Sequence, residues 1–496
     1  MTTDRPIDLD TLTLGDVLDG VLRGRPITVL GFARSGIALA RFFADAGAAV
    51  TIYDGRPAAE LVDAVDAVGD RAIRLLVGRD VEPATAWAGA ALVATSPSIN
   101  PDFPTTEPRL RAALQALVAD PRGPALVSEA DLFLRLCPAP TVGVTGTKGK
   151  TTTSSLIAAV LAADPSHPAV LGGNIGIPLV ERLPELTPSH RVVIELSELQ
   201  LPTLSRGTTV AAYTNVTSDH LDRHGSLEGY RAAKRRLAEL VDPSGALILN
   251  ADDPVVAAYA DLGTAPVTFY TAEGPLPRRG VGVADGWIVA DGAGRVMPLD
   301  ELRIPGRHNV SNALAAVAVG LWFGLEPEAI RRTAAGFTGV EHRLETVATV
   351  DGVRYINDSQ GTQPDAVVAA LNAFQPPIVL IAGGRDKGVD LSGLPPVVAE
   401  RAVAAVLIGE SGPALERMFR EAGLRDTRRA ASLDEAVAEA DAIARERLAA
   451  GATAPATVLL SPAAASFDMF VDYAARGRAF KDAVGRVTAA RERRDR

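Results

Sequence analysis

The residues best suited to do chemistry lie in a glycine-rich turn, Gly146–Thr152 (GTKGKTT). An apolar run at Thr141–Val144 precedes this turn and predicts a buried strand, and Thr152–Ala163 predicts a helix after it. Such a turn binds phosphate, because backbone N–H groups converge on the oxyanion and the helix dipole adds partial positive charge. The usual P-loop pattern has four residues between its first glycine and the Gly-Lys pair, whereas this turn has two. We predict an ATP site, with Lys150 on the terminal phosphates and Thr151 on Mg²⁺.

Further polar side chains follow strands in the next hundred residues. Glu195 lies near the end of a predicted strand, Arg191–Leu196, where a carboxylate beside a P-loop is suited to bind Mg²⁺. His220 follows the predicted strand Val210–Tyr213 in a dense polar turn. Glu195 could instead be a solvated strand end, and His220 could be a structural histidine. Lys234 lies in a predicted helix, where its plain interpretation is a solvated basic face.

The first hundred residues predict a Rossmann-like βαβ unit. A strand at Pro26–Leu30 is followed by the turn Gly31–Gly36, a helix and a second strand that ends at Asp54. The middle glycine of the dinucleotide pattern is Ala33, whose methyl group would crowd a pyrophosphate, so a single nucleotide is favoured over a dinucleotide. This part could also serve only as scaffold.

Composition sets limits on the class of protein. With 496 residues the chain is too long for one core, and 47% hydrophobic with 22% charged residues is typical of a soluble globular protein. A net charge of −10 argues against nucleic-acid binding. One cysteine excludes intramolecular disulfides and fits a reducing compartment. Because the N-terminus is polar and we find no run of 18 apolar residues, we expect a cytoplasmic protein.

Three other segments carry structural predictions. Residues 1–24 predict a leader with one short amphipathic helix. Asn309 or Ser311 is placed to cap the apolar helix that follows, and the charged C-terminal run Arg486–Arg496 predicts a frayed end. From about His342 onward, strands alternate with helices, which predicts a second parallel α/β domain.

Ten stretches, in this order, resemble the Mur ligases of peptidoglycan synthesis. They are GTKGKTT, GGNIG, ELSELQL, NVTSDHLDRHGS, YRAAK, NADD, GRHNVSNA, EHRLE, NDS and LLSPAAASFDMF. The resemblance runs from about Ile27 to Val484. Ten motifs in register are far more specific than one P-loop.

The resemblance implies an α/β protein of three domains. They would be an N-terminal Rossmann-like nucleotide-binding domain (1–127, including the leader), a central P-loop ATPase domain with a mainly parallel sheet (128–341) and a C-terminal Rossmann-like, glutamate-binding domain (342–496). It further implies an ATP-dependent amide ligase that adds D-glutamate to UDP-N-acetylmuramoyl-L-alanine through an acyl phosphate and a tetrahedral intermediate. Closure of the third domain over the ATP would exclude water. The protein would be a cytoplasmic monomer that binds neither nucleic acid nor membrane.

The resemblance also implies roles for individual residues. The uridine nucleotide would be held by Arg34, Ser35, Asp54, Arg56, Ser96 and Asn174. ATP would be held by Gly146, Thr147, Lys148, Gly149, Lys150, Thr151, Thr152, Asn309, Arg343 and Asp358. Two Mg²⁺ ions would be bound by Thr151, Glu195, His220 and a carbamylated Lys234, and the catalytic residues would be Lys150, Glu195, His220 and Lys234. Glutamate would be gripped by Lys387, Ser466, Phe467 and Tyr473.

One loop departs from the family pattern. Where the best-known D-glutamate ligases have Asp-Ser-Lys-Ala-Thr-Asn, this chain has Asp358–Gln363 (DSQGTQ), so that Gln360 replaces the lysine. Hydrogen bonds to charged groups contribute roughly 1.5–3 kcal/mol against about 1 for neutral ones, so Lys387 or Arg385 would have to supply binding. A relative that adds L-glutamate to the same acceptor therefore remains an alternative. A nicotinamide-dependent oxidoreductase and a non-catalytic nucleotide-binding module are the alternatives from other classes.

Overall fold

The computed structural model describes residues 6–176, 178–217, 221–276, 278–304, 306–385 and 391–494. The chain divides into two compact units, residues 1–337 and 338–496. Across the described residues we find no helix that is both long and apolar enough to cross a membrane.

The first sheet has five parallel strands. They are β1 (Pro26–Leu30), β2 (Ala49–Asp54), β3 (Ile73–Val77), β4 (Leu92–Thr95) and β5 (Ala125–Ser128), in the order β3-β2-β1-β4-β5. The helices of this stretch are α1 (Leu14–Leu18), α2 (Arg34–Asp45), α3 (Val62–Val68), α4 (Pro108–Ala119) and α5 (Glu129–Leu136). Strand β4 is buried along its whole length, as expected for a parallel strand with both faces covered.

The second sheet has nine strands and belongs to the same compact unit. They are β6 (Thr141–Thr145), β7 (Ala169–Gly173), β8 (Arg191–Glu195), β9 (Val210–Tyr213), β10 (Ala246–Asn250), β11 (Val267–Tyr270), β12 (Val281–Ala284), β13 (Trp287–Ala290) and β14 (Gly294–Pro298). Their order is β14-β13-β12-β11-β10-β9-β6-β8-β7, parallel except for the antiparallel pairs β12–β13 and β13–β14. The helices are α6 (Lys150–Leu161), α7 (Leu221–His224), α8 (Leu227–Leu240), α9 (Pro254–Ala257), α10 (Arg307–Trp322) and α11 (Pro327–Gly336).

The third sheet lies in the C-terminal unit and has six strands. They are β15 (Glu345–Val350), β16 (Val353–Asn357), β17 (Ile378–Gly383), β18 (Ala404–Ile408), β19 (Thr427–Arg429) and β20 (Ala456–Leu460), in the order β15-β16-β20-β17-β18-β19. Only the β15–β16 pair is antiparallel. The helices are α12 (Pro364–Asn372), α13 (Leu394–Arg401), α14 (Gly412–Glu421), α15 (Leu433–Ala449) and α16 (Tyr473–Arg494).

The predicted α/β class with mainly parallel sheets is confirmed. Within the described residues, short 3-10 helices complete the fold at Ala58–Glu60, Pro83–Trp87, Leu179–Glu185, Leu201–Thr203, Ala258–Asp261 and Leu299–Glu301. The predicted leader helix is α1, whose Leu14 and Val17 are buried. The domain boundaries 127/128 and 341/342 stay a prediction.

Two local predictions were wrong. Helix α10 begins at Arg307 after Gly306, with no side-chain cap, because Asn309 lies inside the first turn and accepts a hydrogen bond from Asn312. The C-terminal run is not frayed over its described part: α16 continues to Arg494. Arg491 is buried there and donates a 2.9 Å hydrogen bond to the Tyr355 hydroxyl, so a tertiary contact orders this charged helix end.

Candidate active site at the carboxyl ends of the central strands

The glycine turn joins β6 directly to α6. At Gly146, where φ is +147°, a Cβ atom would lie 2.0 Å from Thr214 Oγ1. At Gly149, where φ is +85°, it would lie 2.8 Å from Asn312 Oδ1, so neither position has room for a side chain. Lys150 is the first residue of α6, and its Nζ donates to the Gly146 and Thr147 carbonyls at 3.0 and 2.8 Å. The turn is therefore a preformed loop with its ammonium group folded over it.

Neighbouring elements fix the middle of this loop. The Thr147 hydroxyl lies 2.9 Å from the Tyr230 hydroxyl and accepts a hydrogen bond from Thr217 N at 3.0 Å. Lys148 N donates to the Asn215 side chain at 3.0 Å. Because α8 and the segment after β9 both hold the loop, its shape depends on the whole central sheet.

The first turn of α6 continues the predicted ATP site. Thr151 is buried at the start of the helix and Thr152 is half-buried beside it. Asn309, also predicted to contact ATP, is buried in α10, and its neighbour Asn312 accepts a 3.0 Å hydrogen bond from Thr153 of α6. The structure therefore brings α10 against the helix that follows the glycine turn.

Glu195 ends β8, which pairs with β6 so that Glu195 lies beside Val144. The side chain is buried, and its Oε1 accepts a hydrogen bond from Asn174 Nδ2 at 2.9 Å. Its Oε2 is also buried and accepts no hydrogen bond within the described residues. A carboxylate oxygen without a donor is an unfavourable arrangement that a bound cation would relieve.

Lys234 is completely buried in α8. Its Nζ donates to Thr145 Oγ1 at 3.2 Å and lies 5.6 Å from the centroid of the Tyr230 ring. The interpretation of this residue as part of a solvated basic face was therefore wrong. The amine reaches the carboxyl end of β6, next to the glycine turn.

The predicted metal site falls only partly on the described residues. Glu195, Thr151 and Lys234 are described, whereas His220 lies outside the described residues. Over the described ranges, no three His, Cys, Asp or Glu side chains cluster closely enough to hold a metal ion. A metal here would need ligands of other types, such as the Thr151 hydroxyl.

The predicted nucleotide residues of the first sheet surround the end of β2. Asp54 accepts a hydrogen bond from Phe32 N at 2.8 Å and pairs with Arg56 at 2.8 Å. Burial pushes the pKa of Asp54 upward, but the hydrogen bonds from Arg56 and Phe32 outweigh this and hold it below its usual range. The carboxylate is thus ionised and rigid, with its bound guanidinium at the rim.

Arg34 links this site to the central sheet. As the first residue of α2 it donates to the carbonyls of Gly176 and Asn174 at 3.1 and 3.2 Å. Ser35 follows it, half-buried, and Ser96 lies buried after β4 with its hydroxyl 3.2 Å from Ser98 Oγ. Arg34 and Asn174, predicted from separate motifs, are therefore neighbours.

The C-terminal unit holds the remaining predicted residues, starting with Asp358. This side chain is buried after β16 and accepts hydrogen bonds from Ser461 Oγ at 2.6 Å and Leu344 N at 3.2 Å. Burial raises its pKa to about 6, although the Ser461 and Leu344 donors and nearby Arg343 oppose the shift. This carboxyl group is thus half-protonated near pH 6 and mostly ionised at neutral pH.

The predicted glutamate residues differ in exposure. Ser466 is buried, whereas Phe467 is 64% and Tyr473 37% exposed. Lys387 lies outside the described residues. Two large apolar side chains at the surface beside a buried hydroxyl are suited to contact a small ligand.

Sequence reasoning missed Arg476. This arginine of α16 is fully buried and donates to Ser359 Oγ and Ser359 O at 3.0 Å each, and to the carbonyls of Ala464 and Ala465 at 3.2 and 3.3 Å. It thereby ties together the two loops that follow β16 and β20. An arginine in a helix rich in charged residues gives no local signal that its side chain is buried against two loops.

The loop that departs from the family pattern, Asp358–Gln363, is also held by hydrogen bonds. Gln360 N donates to the His342 carbonyl at 3.0 Å, and its side-chain Nε2 donates to the Glu341 carbonyl at 3.2 Å. At Gly361 a Cβ atom would lie 2.3 Å from Asp358 Oδ2, so the alanine of the family pattern would not fit this conformation. The two replacements together remove the positive charge of the family's loop and place glycine where this conformation has no room for a Cβ atom.

Comparison with known proteins extends over nearly the whole chain. The Mur ligase middle domain matches residues 144–320, and the Mur ligase glutamate ligase domain matches residues 342–464. A UDP-N-acetylmuramoylalanine–D-glutamate ligase of Symbiobacterium thermophilum is 39% identical over 94% of this chain and 99% of its own length. The protein of the same name from Geobacter metallireducens is 39% identical over 93% of this chain and 98% of its own.

Solved structures share the fold at lower identity. UDP-N-acetylmuramate-alanine ligase MurC from Thermotoga maritima superposes with a TM-score of 0.53 at 18% identity, covering 94% of this chain and 99% of that one. MurF from Acinetobacter baumannii gives 0.52 at 17% identity, covering 95% and 98%. Because both Mur ligase domains match and near-full-length identity to such ligases is close to 40%, this chain belongs to the Mur ligase family.

Proposed function

We propose that the protein is an ATP-dependent ligase that joins D-glutamate to the alanyl carboxyl group of UDP-N-acetylmuramoyl-L-alanine, releasing ADP and phosphate. The observation that carries this proposal is the near-full-length similarity, at 33–39% identity, to relatives that are all named for that reaction. The site geometry supports the same chemistry. A nicotinamide-dependent oxidoreductase and a non-catalytic module do not account for these relatives.

ATP binds at the Gly146–Thr152 loop in this proposal. The N–H groups of the loop and the start of α6 cradle its phosphates, and Lys150 leaves the loop carbonyls to pair with the terminal phosphate. The exchange replaces two carbonyl contacts by an ion pair. Lys150 then lowers the repulsion between the attacking carboxylate and the phosphate.

The residues present fit Mg²⁺. The orphan Oε2 of Glu195 and the hydroxyl of Thr151 are hard oxygen donors of the kind that Mg²⁺ prefers, and both belong to adjoining elements at this edge. We propose that they, with His220, hold two ions. Bound there, Mg²⁺ would neutralise phosphate charge and orient the transferred group.

Lys234 is proposed to carry a carbamate. Its neutral amine would attack CO₂ and form an N–C bond, and the released proton would leave an anionic carboxylate. Complete burial favours the neutral amine, and a metal would favour the anionic product. A ¹³C-carbonyl NMR signal on protein equilibrated with ¹³C-bicarbonate, absent in Lys234→Ala, tests this, and no signal in the Mg²⁺-loaded wild type would refute it.

The reaction itself proceeds in two steps. The alanyl carboxylate attacks the γ-phosphorus, the bond to the β-phosphate oxygen breaks, and ADP leaves with its electron pair. The unprotonated amine of glutamate then attacks the acyl carbon, and the tetrahedral intermediate expels phosphate while the amine loses a proton. His220 is the candidate base. The chain's own contribution is alignment and the exclusion of water.

Glutamate is proposed to bind in the C-terminal unit at Ser466, Phe467, Tyr473 and Lys387. Gln360 offers the substrate a neutral donor in place of the family's lysine. This substitution favours one second candidate, the ligase that adds L-glutamate to the same acceptor.

One assay separates the two candidates. Phosphate release is measured with ATP, Mg²⁺ and UDP-N-acetylmuramoyl-L-alanine, with D- and L-glutamate in separate reactions and the product identified by mass. Turnover with D-glutamate alone is expected, and turnover with L-glutamate alone would establish the second candidate. No turnover of either by wild type would contradict the proposed acceptor. Lys150→Met serves as the inactive control.

The proposed compartment and oligomeric state of the protein rest on the nature of its substrates. We propose a cytoplasmic monomer that needs neither nucleic acid nor membrane, because both substrates are small and water-soluble. A mass near 51.6 kDa by light scattering is the expected result, and a mass of twice that would contradict it.

A further inference from the structure

A cavity of about 540 Å³ lies in the first compact unit, away from the carboxyl ends of the central strands. Its walls come from four segments: the leader with α1, the C-terminal half of α2 with the turn after it, Arg71 between α3 and β3, and the 3-10 helix Leu179–Glu185. The volume falls within the range of roughly 300–1,000 Å³ that is usual for small-molecule pockets. None of the residues that we assign to the ligase reaction lines it.

The position along α2 separates this cavity from the nucleotide site. Arg34, assigned to the nucleotide, begins α2, whereas the cavity is lined by residues from Arg41 to its end at Asp45. With a rise of about 1.5 Å per residue, the backbone of Arg41, the nearest lining residue of α2, lies about 10 Å along the helix from that of Arg34. A ligand in the cavity would therefore not compete with one at Arg34.

One side of the cavity is apolar. Val17 and Phe42 form buried parts of its wall, and Leu18 lies at the surface with 60% of its area exposed. An exposed leucine beside buried apolar side chains favours an apolar ligand group, because burying that surface gains about 25 cal/mol per Å². The cavity thus offers a place for an aliphatic chain or an aromatic ring.

The other side is cationic. Three arginines line the cavity, and two of them are neutralised within its wall: Arg41 pairs with Glu181 at 3.0 Å and Arg71 pairs with Asp45 at 2.7 Å. The third is Arg23.

Arg23 supplies the uncompensated charge. Its side chain lies against Gly47 and over Gly20, and its guanidinium forms no hydrogen bond or ion pair within the described part of the chain. The lining therefore carries a net charge of +1, from three arginines against Asp45 and Glu181.

We propose that this cavity binds an amphipathic organic monoanion: one carboxylate that pairs with Arg23, attached to an apolar body that packs on Leu18, Val17 and Phe42. The ligand joins the leader to α2 and to the 3-10 helix, so it stabilises the packing of these three segments. The site is separate from the ligase chemistry.

The test uses full-length protein and two probes, octanoate and 3-phenylpropanoate, with 3-phenylpropanamide as the neutral counterpart. Binding is detected by saturation-transfer NMR and titration calorimetry. Arg23→Gln removes the unpaired charge, and Leu18→Asp places an anion at the exposed rim without disturbing the core. The matched control is Arg74→Gln, which alters an exposed arginine of β3 outside the cavity.

We expect at least one of the two acids to bind, with ADP and UMP failing to displace it. Octanoate alone identifies an aliphatic ligand and 3-phenylpropanoate alone an aromatic one. Arg23→Gln should weaken binding about tenfold, the effect of losing one charge-assisted hydrogen bond, and Leu18→Asp should abolish it, while Arg74→Gln leaves it unchanged. Failure of both acids to bind wild type at millimolar concentration, equal binding of the amide, unchanged binding by Arg23→Gln, or displacement by UMP or ADP would each overturn the proposal.

Discussion

Two residues of the proposed active site, Glu195 and Lys234, have surroundings that are unusual for their type. A buried lysine and a buried glutamate with an unsatisfied oxygen are each unfavourable alone. Glu195 ends β8, beside β6, and Lys234 reaches the end of β6 from α8, so both lie where the glycine turn begins. Such an arrangement, unfavourable for the protein alone, is what we expect of a site that a bound cation and the proposed carbamate would complete.

Glu195→Gln isolates the charge of this carboxylate. The amide oxygen can still accept the hydrogen bond from Asn174, so the fold should persist, with an unfolding midpoint equal to or above that of the wild type. Ligase turnover should fall about 100-fold or more, because a metal ligand is lost. Phosphate release and thermal unfolding measure both effects, and near-wild-type turnover would remove Glu195 from the proposed metal site.

Gln360→Lys tests the departure from the family pattern. A positive charge at this half-buried position should lower the KM for glutamate about tenfold, since charge-assisted hydrogen bonds are roughly twice as strong as neutral ones. Gln363→Lys adds the same charge three residues away and serves as the control. Steady-state kinetics with glutamate varied will decide, and an equal effect of both variants would point to general electrostatic attraction.

At the scale of elements, helices hold loops that belong to different strands. Helix α16 inserts Arg476 between the loops after β16 and β20. The leader, in turn, covers α2 and α5: Leu22 is buried in the same core as Phe43 and Phe133, and Arg135 of α5 donates to the Leu9 carbonyl at 3.0 Å. These contacts set loop positions that the loops alone would not keep.

Arg476→Lys should loosen the two loops without removing the charge. Lysine cannot reproduce the forked guanidinium contacts to Ser359, Ala464 and Ala465, so KM for glutamate should rise. Arg478→Lys, exposed two residues further along α16, is the matched control. Kinetics with each substrate varied separately measure the effect, and an unchanged KM for glutamate would contradict it.

The leader should contribute to global stability. Leu22→Ala should lower the free energy of unfolding by about 2–4 kcal/mol, because Leu22 is 1% exposed and its loss leaves a cavity. Leu18→Ala, at a position 60% exposed in the same leader, should change it by about 0.5 kcal/mol or less. Urea unfolding of both variants is the measurement, and equal effects would mean that the leader does not pack as described.

At the scale of the whole molecule, the first and second sheets share one compact unit, and Glu129 lies within it. This side chain, on the first turn of α5, accepts a 3.4 Å hydrogen bond from Val180 N. Burial raises its pKa to about 7, against opposing effects of the Val180 hydrogen bond and of Arg34. Folding therefore favours the protonated carboxyl group.

A raised folded-state pKa fixes the sign of the pH dependence. The stability contributed by protonated Glu129 is fully present below its unfolded pKa of 4.5 and is lost as pH rises through about 7. Glu129→Gln should therefore match the wild type near pH 5 and exceed it by about 2 kcal/mol near pH 8. Denaturant titrations across this range measure it, with exposed Glu60→Gln as control. A gap that is constant with pH would contradict the assignment.

The sequence by itself determined the α/β class, most strand positions, the glycine turn between β6 and α6, and the family. β1 and β9 lie where apolar runs of four or five residues predict them, because a strand buried on both faces needs a continuous apolar segment. The loop glycines are recognisable because only glycine fits such a backbone. These features depend on neighbours in the chain, so local chemistry suffices to find them.

Only the tertiary structure decided which polar side chains are buried and what they contact. Lys234 and Arg476 both lie in helices rich in charged residues, and their burial depends on strands and loops distant in sequence. The predictions of a cap at Asn309 and of a frayed C-terminus failed for the same reason. The Asn309 side chain accepts a hydrogen bond from Asn312, and Arg491 is held by the Tyr355 hydroxyl. The cavity beside Arg23 likewise exists only because four separate segments meet, which no periodicity in the sequence records.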